Sequence, residues 1–284
     1  MEKLILDLIP NINVIDVGAS YFPHIKWKLF MKSKNTNWYA IDPNEKNLGY
    51  VDSWIWQSKI RKLSYAVSNL TEESDFYITN VDSGSSILKP SFNENISHRS
   101  DKDYFLPYKK VKVKSTNIND ILVNEITNLN IPMIIKLDTQ GTEFSIIQEI
   151  KKDYLKNIIC FELESNLHSE PAYENSSHIS EVFKFFQEND YELMDIEIMR
   201  NQNKKTNKKI NSKNIPNECD LVFIKKSINI REYSNEFIIT TLAIYFCYGL
   251  YEEIFFLVSF LLEKNKINDP ILKDRLNKIL TALG

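Results

Sequence analysis

Short apolar runs rich in β-branched and aromatic residues recur along the chain, separated by polar stretches with helical spacing. They are NVIDVGA from Asn13, WYAID from Trp38, KLSYAVS from Lys62, MIIKLD from Met133, NIICFELE from Asn157, YELMDI from Tyr191 and DLVFIKK from Asp220. Such an alternation predicts βαβ units around a mostly parallel sheet. The segments IIKL and IICF lack polar alternation, as strands covered on both faces do. A sheet of this kind places its ligand beyond the carboxyl ends of the strands.

Two departures from this rhythm set the organisation of the chain. Between Asp75 and Lys114, the segments SDFYITN, DSGSSILKP and YKKVKVKS predict an inserted ribbon or lid at a substrate mouth. The alternation in KVKVKS predicts a strand with one polar face, and Thr116 is the expected cap of the helix that follows. From residue 228 onward the chain turns helical, with EFIITTLAIYFCYGLYEEIFFLVSFLLEK its most apolar part. The window 237–262 has the length of a bilayer span. Glu252 and Glu253, however, would each cost about 2.5–3.5 kcal/mol at its centre. Gly249 interrupts the window too, so two packed helices joined near Gly249 are expected, covering a sheet edge or forming a homodimer contact. Peripheral membrane contact is the weaker alternative. The expected division is a domain over residues 1–227 and a helical extension over residues 228–284.

Composition narrows the partners. A net charge of -3 shows no global bias toward nucleic acid. The basic segment 200–213, RNQNKKTNKKINSK, reads as a solvated loop between two strands, with a phosphate-binding tongue as the alternative. Cys160, Cys219 and Cys247 lie far apart without a CxxC pair, so neither a disulfide framework nor a zinc site is indicated, and a reducing compartment fits. The amino terminus, MEKLILDLIPN, does not read as a signal peptide, and the cytoplasm is the expected location. Only six glycines occur, so each marks a position where the backbone demands one.

Three places carry candidate chemistry. In VIDVGAS a strand runs into Asp16, Gly18 and Ala19, a turn that can bring backbone amides close to a ligand. Asp42, twenty-six residues after Asp16, ends the next strand, where a carboxylate can accept both ribose hydroxyls of an adenosine or simply form a turn before Pro43. The third is IIKLDTQGTEFSII, in which Lys136, Asp138, Gly141 and Glu143 crowd a strand end. A central strand seldom holds Lys, because an unpaired buried ammonium is costly. Pairing with Asp138, Glu143 or Glu162 is the structural explanation, and a polar pocket for substrate and cofactor is the functional one.

With these residues the chain resembles the FkbM-type S-adenosylmethionine-dependent methyltransferases. The family's Lys-x-Asp-x-x-Gly-x-Glu pattern stands at Lys136 to Glu143, after DVGAS, AIDPN, YAVSN and the SSIL segment at Ser85 to Leu88. FELE and ECDLVFIKK then follow in the family's order, and the likeness spans residues 13–226. The resemblance implies an α/β fold: a Rossmann-like seven-stranded methyltransferase sheet with helices on both faces, here with a C-terminal helical appendage. It further implies O-methylation of a sugar, glycan precursor or related small-molecule hydroxyl, with S-adenosyl-L-methionine as cofactor. By position, Asp16, Gly18, Ala19 and Ser20 would hold the methionine end, Asp42 with Pro43 the ribose, and Val67 and Ser68 the adenine side. Asp138 would sit near the sulfonium. The chain departs at Ser20 and Phe22, where the family usually has Asn and Gly, so Phe22 either packs into the next helix or crowds the cofactor.

Methyl transfer is an in-line displacement, so the protein must position a hydroxyl and remove its proton. Catalytic candidates are Asp138, Lys136, Glu143, Glu164 and His168, the last having the ordinary pKa best suited to neutral pH. His24, Arg99 and Tyr104 are further loop residues within reach of a substrate. No His/Asp cluster has metal-ligand spacing, so metal dependence is not indicated, with a Mg²⁺ site assembled in three dimensions from Asp138 and nearby carboxylates as the alternative. A catalytically silent scaffold is the alternative, as is a nicotinamide-dependent oxidoreductase, against which the missing GxGxxG and the Lys136–Glu143 cluster argue.

Overall fold

A computed structural model describes residues 1–21, 23–53, 56–69, 72–202, 212–226, 234–263, 267 and 269–284. Phe22 and residues 203–211 of the basic loop lie outside them. Ten strands form: β1 Ile12–Val17, β2 Thr36–Ile41, β3 Lys59–Leu63, β4 Ala66–Val67, β5 Glu73–Thr79, β6 Pro107–Thr116, β7 Met133–Leu137, β8 Ile158–Asn166, β9 Tyr191–Asn201 and β10 Ile215–Lys225. Seven of them make one sheet in the order β3-β2-β1-β7-β8-β10-β9. The first five run parallel, whereas β10 is antiparallel to both β8 and β9. This is the Rossmann-like methyltransferase sheet. Chain order reverses between β1 and β7, which opens a crevice at their carboxyl ends.

Both faces of the central strands are covered, which is why their sequences are apolar without a break. Side chains alternate between two cores. Ile12, Val14, Trp38, Ala40, Ile134, Cys160, Val222 and Ile224 face one, and Ile15, Val17, Tyr39, Ile41, Ile135, Leu137, Phe161 and Leu163 face the other. On the second face Phe186 stacks on Phe223 with ring centroids 4.0 Å apart. The first face receives only a four-residue helix, Lys28–Met31, from the crossover after β1. Ile5, Leu8 and Ile9 of the N-terminal segment and Leu48 and Val51 after β2 add to its cover, and the largest share comes from the C-terminal helices Asn235–Cys247, Tyr251–Glu263 and Pro270–Leu283, which share one core with Trp27, Trp38 and Val14.

The C-terminal helices therefore lie on a sheet face rather than at an edge. Phe237 through Tyr245 are buried without a break because that helix is enclosed by sheet and helices. The chain breaks between the first two helices at Gly249, whose φ of 70° suits glycine. Among the described residues, no helix is long and apolar enough to cross a membrane.

The insertion builds a three-stranded sheet, β4-β6-β5, with β5 antiparallel to β6. It packs a small core of Ile96, Phe105, Ala172 and Tyr173 beside the strand ends. The helix Ile118–Asn124 is capped by Asn117, whose side chain accepts the Asp120 N–H at 2.9 Å, one residue later than the expected Thr116.

If the C-terminal helices belong to the main core, truncating Leu242, which is 1% exposed, lowers the stability of the whole protein. Leu242→Ala is expected to cost about 2–5 kcal/mol in urea unfolding, with one transition for helix and sheet signals. A separate early transition of the helices, with the sheet unaffected, would contradict this.

Candidate active site at the β1–β7 crevice

The crevice is closed from below by charge. In sheet register Asp16 stands beside Lys136, and Lys136 beside Glu162, so a negative, positive, negative row crosses β1, β7 and β8. The Lys136 ammonium lies 3.4 Å from Asp16 Oδ1 and 3.6 Å from Asp138 Oδ2. Burial works against its charge, but Asp16, Asp138 and Glu162 outweigh that and lift its pKa above the ordinary value. Glu162 Oε2 in turn accepts the Trp27 indole N–H and the Tyr248 hydroxyl, each at 2.7 Å. Tyr248 follows the first C-terminal helix, so the helical extension reaches the wall of the site.

Gly18 has a different job from the one its motif suggests. Its N–H and that of Ala19 both donate to the Ile41 carbonyl, at 2.8 and 3.1 Å, which joins the ends of β1 and β2. A Cβ at Gly18 would stand 1.9 Å from the Asp138 carbonyl oxygen, and φ is +81°. Glycine is required here for the close approach of the β1 and β7 ends, not for amides turned toward a ligand.

Above this floor lies a cavity of about 560 Å³. Its polar lining includes Ser20, Asp42, Asn47, Asp82, Ser83 and Asp138, and Tyr65, Val67, Phe76 and Ile87 form an apolar wall. Its composition, a few polar groups set against an apolar wall, is that of a small-molecule site. Asp42 Oδ1 accepts the Asn44 N–H at 2.7 Å, and Oδ2 has only a long contact of 3.5 Å to Asn47. Ser20 Oγ and Asn47 Oδ1 are buried without a hydrogen-bond partner. Gly18 and Pro43 also line this cavity. Asp16, 2% exposed, and the buried Ser68 do not, and neither does Ala19.

Asp138, its side chain 47% exposed, lines this cavity and two others. The largest of these, about 1050 Å³, carries Arg99, Asp101, Tyr104, Glu164, Glu218 and Asp220. His24, Lys136 and Glu162 line the third. Gln140 ties the junction together, donating to Asp138 Oδ1 at 3.0 Å and to Glu164 Oε2 at 2.8 Å. The backbone of Gln140 is held at φ 60°, unusual for a residue with a side chain. Tyr173, 2.9 Å from Gln140 Oε1, and Ser86, whose hydroxyl donates to the Gln140 carbonyl at 2.8 Å, maintain it.

Glu143 stands under the same loop. Its carboxylate accepts the N–H groups of Thr139 at 2.7 Å and Gly141 at 2.9 Å and the Thr139 hydroxyl at 3.1 Å. It acts as a loop clamp and lines only a smaller cavity behind Gln140. Burial pushes Glu143 up to about 7 despite these donors. Glu164 is raised well above the usual carboxyl range by burial and by Asp138, Glu218, Glu143 and Asp220 around it. His168 lines none of these cavities, and its Nδ1 accepts the Glu170 N–H at 3.2 Å. Gln140, Tyr173, Glu218 and Asp220 are site residues that the motifs do not mark. For the last two a signal exists: acids two residues apart, hence on one face, in an otherwise apolar strand.

The strand order and the cavity at the β1–β7 switch define a methyltransferase fold. The methyltransferase FkbM domain matches residues 16–193, most of the chain, and the protein belongs to that family. Solved structures of the same general kind include an rRNA methylase from Streptococcus thermophilus, 9% identical over 79% of this chain and 94% of that one, with a TM-score of 0.34. A SAM-dependent O-methyltransferase from Thermotoga maritima is 8% identical over 79% of this chain and 64% of the other, at a TM-score of 0.31. The fold assignment rests on the strand order itself, and nothing those proteins act on is transferred to this one. No curated protein matches the sequence.

Burial raises Asp42 from its ordinary 3.8 to about 7, with Asp138 and Asp16 adding to it and Asn44 and Asn47 opposing it. A raised carboxyl binds its proton more tightly in the native state, so its contribution is complete below 3.8 and is lost as pH rises through about 7. Ligand-free protein is therefore expected to lose stability over that window, and Asp42→Asn to flatten the loss when urea unfolding is measured across pH. An equal slope in the variant would contradict the burial of Asp42.

Proposed function

We propose that the protein is an S-adenosyl-L-methionine-dependent O-methyltransferase whose acceptor is a hydroxyl of a sugar, glycan precursor or related small molecule. The observation that carries this reading is the junction at Asp138 between a half-apolar cavity and a larger polar one. The first fits the cofactor. Asp42 offers an under-used carboxylate at the end of β2 where a ribose diol needs one, and Ser20 Oγ and Asn47 Oδ1 are buried groups awaiting partners. Tyr65, Val67 and Phe76 supply an apolar wall for a flat ring.

The cofactor, when bound, supplies a methyl group on a sulfonium. The chain's own residues then have to hold an acceptor hydroxyl in line and take its proton. Asp138 faces both cavities, and Gln140 and Lys136 fix its two oxygens. It is the group placed to accept that proton. Glu164 stands next to it through Gln140 and is the second proton-accepting group. Lys136, Glu143 and Gln140 act as positioning residues.

Isothermal titration calorimetry with S-adenosylhomocysteine tests the cofactor reading, for which saturable binding is expected. Asp42→Ala is expected to weaken it about 10- to 100-fold, the worth of one charge-assisted hydrogen bond. Absence of binding at millimolar ligand, or an unchanged affinity in the variant, would count against it.

A further inference from the structure

Three separate segments bound the cofactor cavity, and residues next to its lining tie them together from outside. Ser20 follows β1, Asn47 belongs to the helix Glu45–Tyr50 after β2, and Asp82 and Ser83 come from the insertion. Lys46 Nζ stands 2.7 Å from Asp82 Oδ2, an ion pair that reaches from that helix to the insertion. Tyr21 and Tyr50 stack with ring centroids 5.1 Å apart, joining the turn after β1 to the same helix. Asp82 above all, then Tyr50 and Tyr21, lift the Lys46 ammonium above its ordinary pKa, so the ion pair and the stack form one cluster. The Lys46 side chain is 64% exposed and both tyrosines are exposed, and none of the three lines the cavity, whereas Asp82 does. The cluster therefore lies across the solvent edge of the cavity.

The insertion is held from the acceptor side as well. The turn Asp82–Gly84 stands between the two cavities, since Ser83 lines both. Tyr104 donates to Ser83 Oγ at 3.0 Å, and the Tyr173 hydroxyl lies 2.7 Å from the Gly84 carbonyl. A Cβ at Gly84 would stand 2.4 Å from the Tyr104 ring, so the turn is packed tightly on this side. Burial separates the two sets of contacts. The inner ones are wholly or partly shielded, whereas water can replace the exposed Lys46–Asp82 pair at little cost. Tyr21 also holds a φ of 59°, a left-handed conformation unfavourable for a residue with a side chain, so opening the stack releases strain.

We propose that Lys46 and Asp82 form a strap across the cofactor cavity, closed with and without ligand, and that the cofactor and its demethylated product exchange when the pair opens. The inference rests on the reading of this cavity as the cofactor site. Lys46 then sets how fast ligand enters and leaves, while affinity is set by the groups that line the cavity.

The test measures association and dissociation rates of S-adenosylhomocysteine by surface plasmon resonance on the immobilised full chain, at low and high salt. In Lys46→Met both rates are expected to rise about two- to fivefold, the worth of one exposed ion pair, with Kd changed by less than about twofold. The ligand carries no net charge at neutral pH, so salt is expected to quicken the wild type toward the variant and to leave the variant unmoved. Lys46→Arg is expected to keep the slow exchange. Loss of a ligand contact or of structural support would raise dissociation alone. That result, or unchanged rates in Lys46→Met, would overturn the strap and leave the cofactor reading standing, whereas a wild type that shows no saturable binding would overturn both.

Discussion

One buried ammonium organises this protein. Lys136 sits in the central strand with Asp16 on one side and Glu162 on the other, and its charge is maintained by those carboxylates and by Asp138. Breaking a buried pair by removing one partner leaves an uncompensated charge, at a cost of about 3–5 kcal/mol. The row therefore constrains how the ends of β1, β7 and β8 meet. The tight contact of Gly18 with the Asp138 backbone acts at the same place. Charge and sterics together bring three strand ends into one plane, and the cavities open above it.

That arrangement divides the site into two chemistries. Toward β2 and β4 the cavity is half apolar and carries a single under-used carboxylate, Asp42. Toward β8 and β10 it is acidic and polar. Asp138 belongs to both, and the strained loop at Gln140 couples it to Glu164. The C-terminal helices take part as well, because Tyr248 and Trp27 hold Glu162 from the face those helices cover. A segment outside the matched family domain thus supports a wall of the site.

Much of this was legible in the sequence, and the reasons differ by element. The central strands announce themselves because burial on both faces demands unbroken apolar runs, as in MIIKL and IICF. Lys136, Asp42 and Asp138 stood out because charge at the end of a buried strand has to be explained. The sequence marks Gly18 as a position that only glycine fills, but it does not show that Ile41 takes the Gly18 and Ala19 amides or that the Asp138 backbone comes so close. His168 drew notice through its ordinary pKa, a property of the residue alone, whereas its position is set by the turn around Asn166. Glu218 and Asp220 join the site only because β10 runs antiparallel to β8, pairing Asp220 with Glu164, and that is a tertiary fact. The C-terminal helices were readable as apolar and broken at Gly249, but which surface they cover depends on how little the crossover after β1 supplies.

The most direct test of the account is a crystal structure of the protein with S-adenosylhomocysteine. The ribose hydroxyls are expected on the Asp42 carboxylate, the base against Tyr65, Val67 and Phe76, and the sulfur beside Asp138 facing the acidic cavity. Ligand bound elsewhere, or in this cavity with its sulfur turned away from Asp138, would contradict the central claim.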